Sequence, residues 1–167
     1  RILRQVLARL SNESFDNAPP FIGGDIHRIV RLLSGNNDPY LEIKKDSNTL
    51  AMKLMPSLKK LIKSSADPFE TAVRMAIAGN IIDYGSHQDF DVQTSIDNCL
   101  TSSLAINDLE ELRCDLHRAQ NILYLADNCG ELVFDRLLIE LIGKPMTIAV
   151  KDKPILHDAL AEDAIAC

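Results

Sequence analysis

The chain lacks most of the features that would place it in a class at once, and each absence excludes something. It contains no run of about 18 uncharged apolar residues, so no membrane-spanning helix is expected. The opening stretch, Arg1 to Leu10, is amphipathic and charged, without the apolar centre and small-residue cleavage site of a secretory signal. That predicts a cytoplasmic protein, in a chain that does not open on Met. Basic residues are the minority: 18 Lys and Arg against 24 Asp and Glu leave a net charge of −6. A broad nucleic-acid surface, which needs clustered Lys and Arg, is therefore not expected. The four cysteines, Cys99, Cys114, Cys129 and Cys167, form no CxxC pair, and no His stands at zinc-finger spacing from them. They read as small apolar side chains in a reducing compartment. Internal repeats and low-complexity tracts are missing as well.

What is present fits one domain, or a small domain plus part of another: 167 residues, 46% hydrophobic and 25% charged. Two zones differ in period. Residues 1 to 118 carry helix signals. Asp38-Pro39 and Asp67-Pro68-Phe69-Glu70 place a capping carboxylate before a first-turn proline, the second with Glu at capping-box spacing, and Asn107-Asp108-Leu109-Glu110 has the same shape. Ile26, Ile29, Val30 and Leu33 form one apolar stripe, ended by Gly35; Val73, Ala76 and Ile77 begin another. Pro56 is expected to kink or divide the segment from Asp38 to Lys63. Strand signals are scarce here, which predicts a bundle of short helices.

Residues 119 to 167 alternate. Asn121 to Ala126 is a short strand-like apolar run, followed by the turn cluster Asp127-Asn128-Cys129-Gly130. A helix is expected from Glu131 to Ile142, burying Leu132, Phe134, Leu137, Leu138 and Leu141 and stopping at Gly143. A second strand is expected over Met146 to Val150, and another helix from near Ala159. Strand–helix–strand–helix is the pattern of a parallel sheet with covering helices, so the fold class is α/β.

This topology carries a functional expectation. Parallel strands joined by a helix present their carboxyl ends on one edge, where open α/β sheets bind ligands. The first loop holds Asp127 and Asn128, the second His157 and Asp158. Two carboxylates and an amide oxygen make a hard-oxygen set suited to Mg²⁺ or Mn²⁺, with positions left for water and a phosphate oxygen. The helix after Gly130 should bring free N–H groups and a positive dipole end to the same edge, with Gly130 letting the backbone approach a phosphate. Lys151 or Lys153 would neutralise further charge. Metal plus helix terminus suits phosphate ester hydrolysis through a metal-activated water. The plainer readings are that Asp127 and Asn128 are turn formers, Asp158 a helix cap and His157 a loop residue. Cys129 has no evident partner as a nucleophile.

The motifs resemble a known family. Asp127-Asn128-Cys129-Gly130-Glu131 followed by Phe134-Asp135 resembles the DN-x-GE…FD signature of the damage-control phosphatases, formerly domain of unknown function 89. Lys153-Pro154-Ile155-Leu156-His157-Asp158-Ala159, then Asp163-Ala164, resembles the second signature, with His157 where Asn is usual. Asp38-Pro39-Tyr40 with Lys44 and Asn48, and Ala78-Gly79-Asn80-Ile81-Ile82-Asp83-Tyr84-Gly85, resemble the DPY…K…N and GN-x-x-D-[FY]-G segments. The likeness runs over nearly the whole chain in the correct order.

The resemblance implies a helical N-terminal bundle (1–118) packed on a Rossmann-like α/β domain (119–167) that is truncated at its C-terminus, because the family continues with further strands and a lysine-bearing phosphate loop. It implies a divalent metal at Asp127, Asn128 and Asp158, Mn²⁺ or Mg²⁺ with Co²⁺ or Ni²⁺ as alternatives, and catalysis at the two aspartates. Asn80, Asp83, Glu131, Gly130, His157 and Lys151 become the substrate-binding candidates. The partner would be a small phosphorylated metabolite such as a sugar phosphate or a phosphopantetheine-like compound, with neither nucleic acid nor membrane. For Asn80 the plainer reading is a helix C-cap; for Asp38 and Lys44 it is a cap and a solvated surface charge. Three other functions compete: a phosphometabolite- or metal-binding module without turnover, a carboxyl methyltransferase, and a helical interaction domain. No G-x-G loop follows Ala126 to support the methyltransferase. The alternating second zone argues against the interaction domain.

Overall fold

The computed structural model describes residues 1–14, 16–83 and 92–167, the side chains of 81–83 excepted. In chain order it contains α1 (Ile2–Leu10), α2 (Pro19–Ser34), α3 (Leu41–Ser64), α4 (Pro68–Asp83), α5 (Val92–Thr101), α6 (Leu109–Arg118), β1 (Ile122–Leu125), α7 (Glu131–Ile142), β2 (Met146–Ala149) and α8 (Ala161–Ala166). The class is α/β, with helices predominating around one small parallel sheet.

Local chemistry explains most boundaries. Asp67 caps α4 through its carboxylate, which accepts from the Glu70 N–H at 3.0 Å. The reciprocal half of the capping box is not made; the Glu70 carboxylate turns outward to Arg74, whose Nε donates to it at 2.9 Å. Gly35 and Gly143 end α2 and α7 in the left-handed conformation, φ 70° and 61°. Helix α3 begins at Leu41, later than Asp38-Pro39 suggests, because Asp38 folds back to accept the Tyr40 N–H at 3.1 Å. It continues through Pro56 as one helix.

One core cluster joins Ala51, Met55, Leu58 and Ile62 of α3, Ala72, Met75 and Ala78 of α4, Ile96 of α5, and Val133, Phe134, Leu137 and Leu138 of α7. The change of pattern near residue 118 is thus a change of secondary structure, and the core spans it. One expected face is rotated and one is widened. In α4 Thr71, Ala72, Met75 and Ala78 are buried, Val73 and Ala76 are only partly buried and Ile77 is exposed; in α7 Leu132, Phe134, Leu137 and Leu138 are buried as expected, Val133 and Asp135 join them, and Leu141 is exposed. Helix α4 is apolar on most sides, so its sequence leaves the choice of face to its neighbours α3, α5 and α7.

Strands β1 and β2 pair in parallel, Ile122 with Met146 through Leu125 with Ala149, joined by α7 as the crossover. Leu123 and Leu125 point away from the core and are exposed. A smaller cluster of Ala126, Cys129, Leu132 and Ala159 lies under the carboxyl ends of the strands. It seats the loops that carry the polar motifs.

Candidate functional site

The two loops that follow the strands are tied to each other through their backbones. The Cys129 N–H donates to the His157 carbonyl at 2.9 Å, and the Ala159 N–H donates to the Asp127 carbonyl at 2.7 Å. These bonds make an antiparallel bridge between Asn128 and Asp158. A second bridge, Lys151 with Leu160, holds the following segment beside β2. The backbones of the 127–128 and 157–158 loops are therefore fixed relative to each other, which brings the starting points of their side chains together.

The carboxylates of Asp127 and Asp158 converge on one cation, the Lys151 ammonium, at 3.5 Å and 3.3 Å. Burial acts to depress the Lys151 pKa, but the hydrogen bond and charge of Asp158, then those of Asp127, outweigh it and raise the pKa. Asn128 is buried; its amide nitrogen donates to Glu131 at 2.9 Å and to Asp127 at 3.3 Å. That leaves its carbonyl oxygen as the end a cation can use. Asn80, at the far end of α4, also donates to Glu131, at 3.1 Å. Glu131 thus receives two amides and is fixed at the first turn of α7.

The anion cradle expected at the start of α7 is differently built. The Gly130 N–H donates to the Asn48 side chain at 2.7 Å, and the N–H groups of Glu131, Leu132 and Val133 go to the carbonyls of Cys129, Asn128 and Gly130. These donors are engaged inside the protein. Gly130 does need its glycine: φ is +74°, and a Cβ there would lie 3.1 Å from Ser47 Cβ. Its close approach is to α3.

Asn48 is the residue whose role the spacing did not reveal. It holds the Gly130 amide and also donates to the buried Asp163 at 2.9 Å, linking α3, the first loop and α8. Asp163 in turn accepts the Leu160 N–H at 2.9 Å, which starts α8. Lys44 is not a solvated surface charge: it is 1% exposed and ion-paired with Asp38 at 2.5 Å, because α3 turns it inward. Cys129 is fully buried, and burial pushes its thiol pKa far up, so it is an inert core side chain.

Asp135 was visible in the sequence only as a motif letter. It is 3% exposed, on the apolar face of α7 beneath the site. Burial pushes its carboxyl up to about 7 against the pull of the Tyr124 hydroxyl, and the charges of Glu131 and Asp127 push the same way as burial. The available signal was an acidic residue between Phe134 and Leu137 on a buried stripe. His157 lends its backbone carbonyl to the bridge and is half-buried. Lys153 is exposed, beside Asp152 at 3.7 Å. Asp83 closes α4 with its side chain outside the description, and Tyr84 and Gly85 lie outside the described residues.

Among the described residues no group of three or more His, Cys, Asp or Glu side chains is arranged to hold an ion. The donors at this edge are two carboxylates and one amide oxygen, a set that suits a hard divalent cation with an incomplete protein shell. The Lys151 ammonium lies within 3.5 Å of both carboxylates. No helix among the described residues is long and apolar enough to cross a membrane.

The family model described as the damage-control phosphatase ARMT1-like domain matches residues 1–167. A damage-control phosphatase of Pyrococcus horikoshii is 38% identical over 161 residues, covering 92% of this chain and 55% of its own. Another, from Archaeoglobus fulgidus, is 38% identical over 146 residues, covering 83% of this chain and 50% of its own. An uncharacterised protein of Methanocaldococcus jannaschii is 34% identical over 154 residues. The crystal structure of a DUF89 family protein from P. horikoshii superposes with a TM-score of 0.82 at 34% identity, covering 99% of this chain and 59% of that one. The chain spans about half the length of the curated relatives it matches.

Proposed function

The chain belongs to the damage-control phosphatase ARMT1-like family, and from that premise we propose that its sheet edge is the metal-dependent centre of a phosphatase for small phosphorylated metabolites. The observation that supports the proposal is the backbone bridge between Asn128 and Asp158, with the Asp127 and Asp158 carboxylates both within reach of one ammonium, that of Lys151. In this reading Asp127, the Asn128 carbonyl and Asp158 hold Mn²⁺ or Mg²⁺, and the β1–α7–β2 unit is part of a Rossmann-like domain. Co²⁺ and Ni²⁺ suit the same donors less specifically. The bound ion supplies Lewis acidity toward the phosphoryl oxygen and a water of lowered pKa.

The chain's own residues do the rest. Glu131, held by Asn80 and Asn128, keeps Asn128 oriented with its carbonyl free. Lys151 is half-exposed on a flexible stem; its contact to exposed Asp127 is of the weak surface kind, while that to Asp158 reaches a more buried carboxylate. It can swing away from the carboxylates and meet a phosphate dianion instead. Cleavage breaks the ester C–O–P linkage at phosphorus, forms a bond from water oxygen to phosphorus, and leaves an alcohol and inorganic phosphate. Sugar phosphates and phosphopantetheine-like esters are the candidate substrates.

A second reading, a binding module without turnover, is favoured by one observation: the α7 amides that would cradle a phosphate are engaged internally. One assay separates the two. Hydrolysis of p-nitrophenyl phosphate should require Mn²⁺, Mg²⁺ or a related ion and stop with chelator. Asp127→Asn and Asp158→Asn should each lower kcat/KM by about a hundredfold or more, in line with loss of a transition-state electrostatic group, with helix content unchanged. Undiminished turnover in chelator rejects the mechanism. Metal binding without turnover selects the second reading.

A further inference from the structure

A cleft of about 420 Å³ lies beside the site, between α2 and the loop after β2, within the size range of small-ligand pockets. The elements meet where Gly24 faces Ile155. Phe21 and Ile155 give the cleft apolar walls; Arg31, Lys151 and Lys153 give it three positive charges against one carboxylate, Asp152, in the lining. Lys151 belongs to both places, because the same ammonium touches Asp127 and Asp158. His27, also in the lining, is continuous with both: burial and then Arg31 hold its imidazole below the usual value, while Asp158 pulls the other way.

Arg31 is the informative residue. The other half-buried arginines each hold a carboxylate: Arg9 with Asp25, Arg74 with Glu70, Arg113 with Asp67 and Arg136 with Glu140. Arg31, also of intermediate exposure, forms no ion pair with a carboxylate among the described residues. A partly desolvated guanidinium without a counter-ion gains strongly from an external anion, which its planar fork can bind with two parallel hydrogen bonds. Lys153 adds charge nearby, its own neighbour Asp152 being an exposed, screened contact.

We propose that this cleft is a second anion subsite, anchored by Arg31, and that it selects phosphate esters carrying a further phosphate or carboxylate several bonds from the scissile group. The inference rests on the phosphatase reading for its first phosphate, and it adds a substrate class to that reading. One phosphate would sit at the strand edge with Lys151, and the second anion would lie against Arg31, the carbon frame crossing the apolar wall.

Three esters on six-carbon frames test it: glucose 6-phosphate, 6-phosphogluconate and glucose 1,6-bisphosphate. At fixed ionic strength, kcat/KM for a doubly anionic ester should exceed that for glucose 6-phosphate by about tenfold or more. Preference for the bisphosphate alone identifies a phosphate subsite, for the gluconate alone a carboxylate subsite, and for both a general anion subsite. Arg31→Gln should collapse the preference ratio, Arg31→Lys should restore part of it, and Lys153→Gln should lower it less. Arg28→Gln removes a neighbouring charge already paired with Asp25 and should leave the ratio intact. Calorimetry with glucose 1,6-bisphosphate and chelated protein supplies a readout free of turnover, with Kd weakening about tenfold in Arg31→Gln. Absence of a preference in the wild type, or a preference that survives Arg31→Gln, overturns the subsite. Should no ester be hydrolysed, the phosphatase reading fails by itself, and calorimetry still decides the subsite.

Discussion

Asp135 holds its proton unusually well for a carboxyl group, and that has a consequence for stability. The unfolded chain gives it up near 3.8, whereas the folded chain keeps it to about 7, chiefly because burial disfavours the anion. The folded state therefore binds more protons between those values. The stabilising contribution is complete below the lower one and is lost as pH rises through the upper one. In chelated protein, Asp135→Asn keeps the shape and cannot ionise. Relative to that variant the wild type should lose on the order of a few kcal/mol between about pH 4 and about pH 7.5, read from urea melts. Parallel pH profiles for the two proteins would show an ordinary carboxyl. At this scale the convergence of the candidate site was largely legible: Asp127, Asn128, Glu131, Lys151 and Asp158 follow strand ends, and parallel topology brings strand ends to one edge. Asp135 and Lys44 were not legible in role, since only tertiary packing decides whether a charged helix residue faces inward.

At the level of elements, α4 and α7 approach each other at Gly79. A Cβ there would stand 2.9 Å from Phe134 Cβ, 3.1 Å from Phe134 Cγ and 3.3 Å from Glu131 Cα. Because Glu131 and Phe134 open α7, this contact also sets where the Asn80 amide meets the Glu131 carboxylate. Gly79→Ala should push the helices apart at a cost of about 1–3 kcal/mol, seen as a lower urea midpoint. Gly23 makes the contrasting case: it lies inside α2 with open space where a Cβ would go. Gly23→Ala should raise stability by roughly 0.5–1 kcal/mol, since only the helix propensity changes. Both substitutions shifting stability the same way would show that close approach is not the cause. The span of α7, its glycine stop and the cap of α4 were readable because caps and stops are chemistry of adjacent residues. The buried face of α4 was not, because an apolar helix with three neighbours carries no stripe to read. Nor was the filled amide cradle of α7, which depends on Asn48 arriving from a helix far away in sequence.

Across the whole molecule, the sheet edge is where distant parts of the chain are joined. Asn48 links α3 to Gly130 and Asp163, Asn80 links α4 to Glu131, and the 127–129 and 157–159 segments are bridged directly. Among the described residues the sheet has two strands, and isolated pairs are marginal. Its order relies on these ties and on α7 seated in the helical core. A cation held by Asp127, Asn128 and Asp158 would add one more tie between the two loops and would bind the folded state in preference to the unfolded one. Adding Mn²⁺ to chelated protein at about a hundred times its Kd should contribute about 2.7 kcal/mol, a rise in Tm of roughly 5–10 °C for a chain of this size. The rise should grow with the logarithm of metal concentration and vanish in Asp158→Asn. Lys151→Met gives the sharper comparison, because the ammonium and the ion compete for the same two carboxylates. Without metal, that variant leaves like charges facing each other and should melt lower than wild type. With metal, no competing cation remains, so its Tm should rise further than the wild type's. An equal metal-induced rise in Lys151→Met and wild type would place the ion somewhere other than between Asp127 and Asp158.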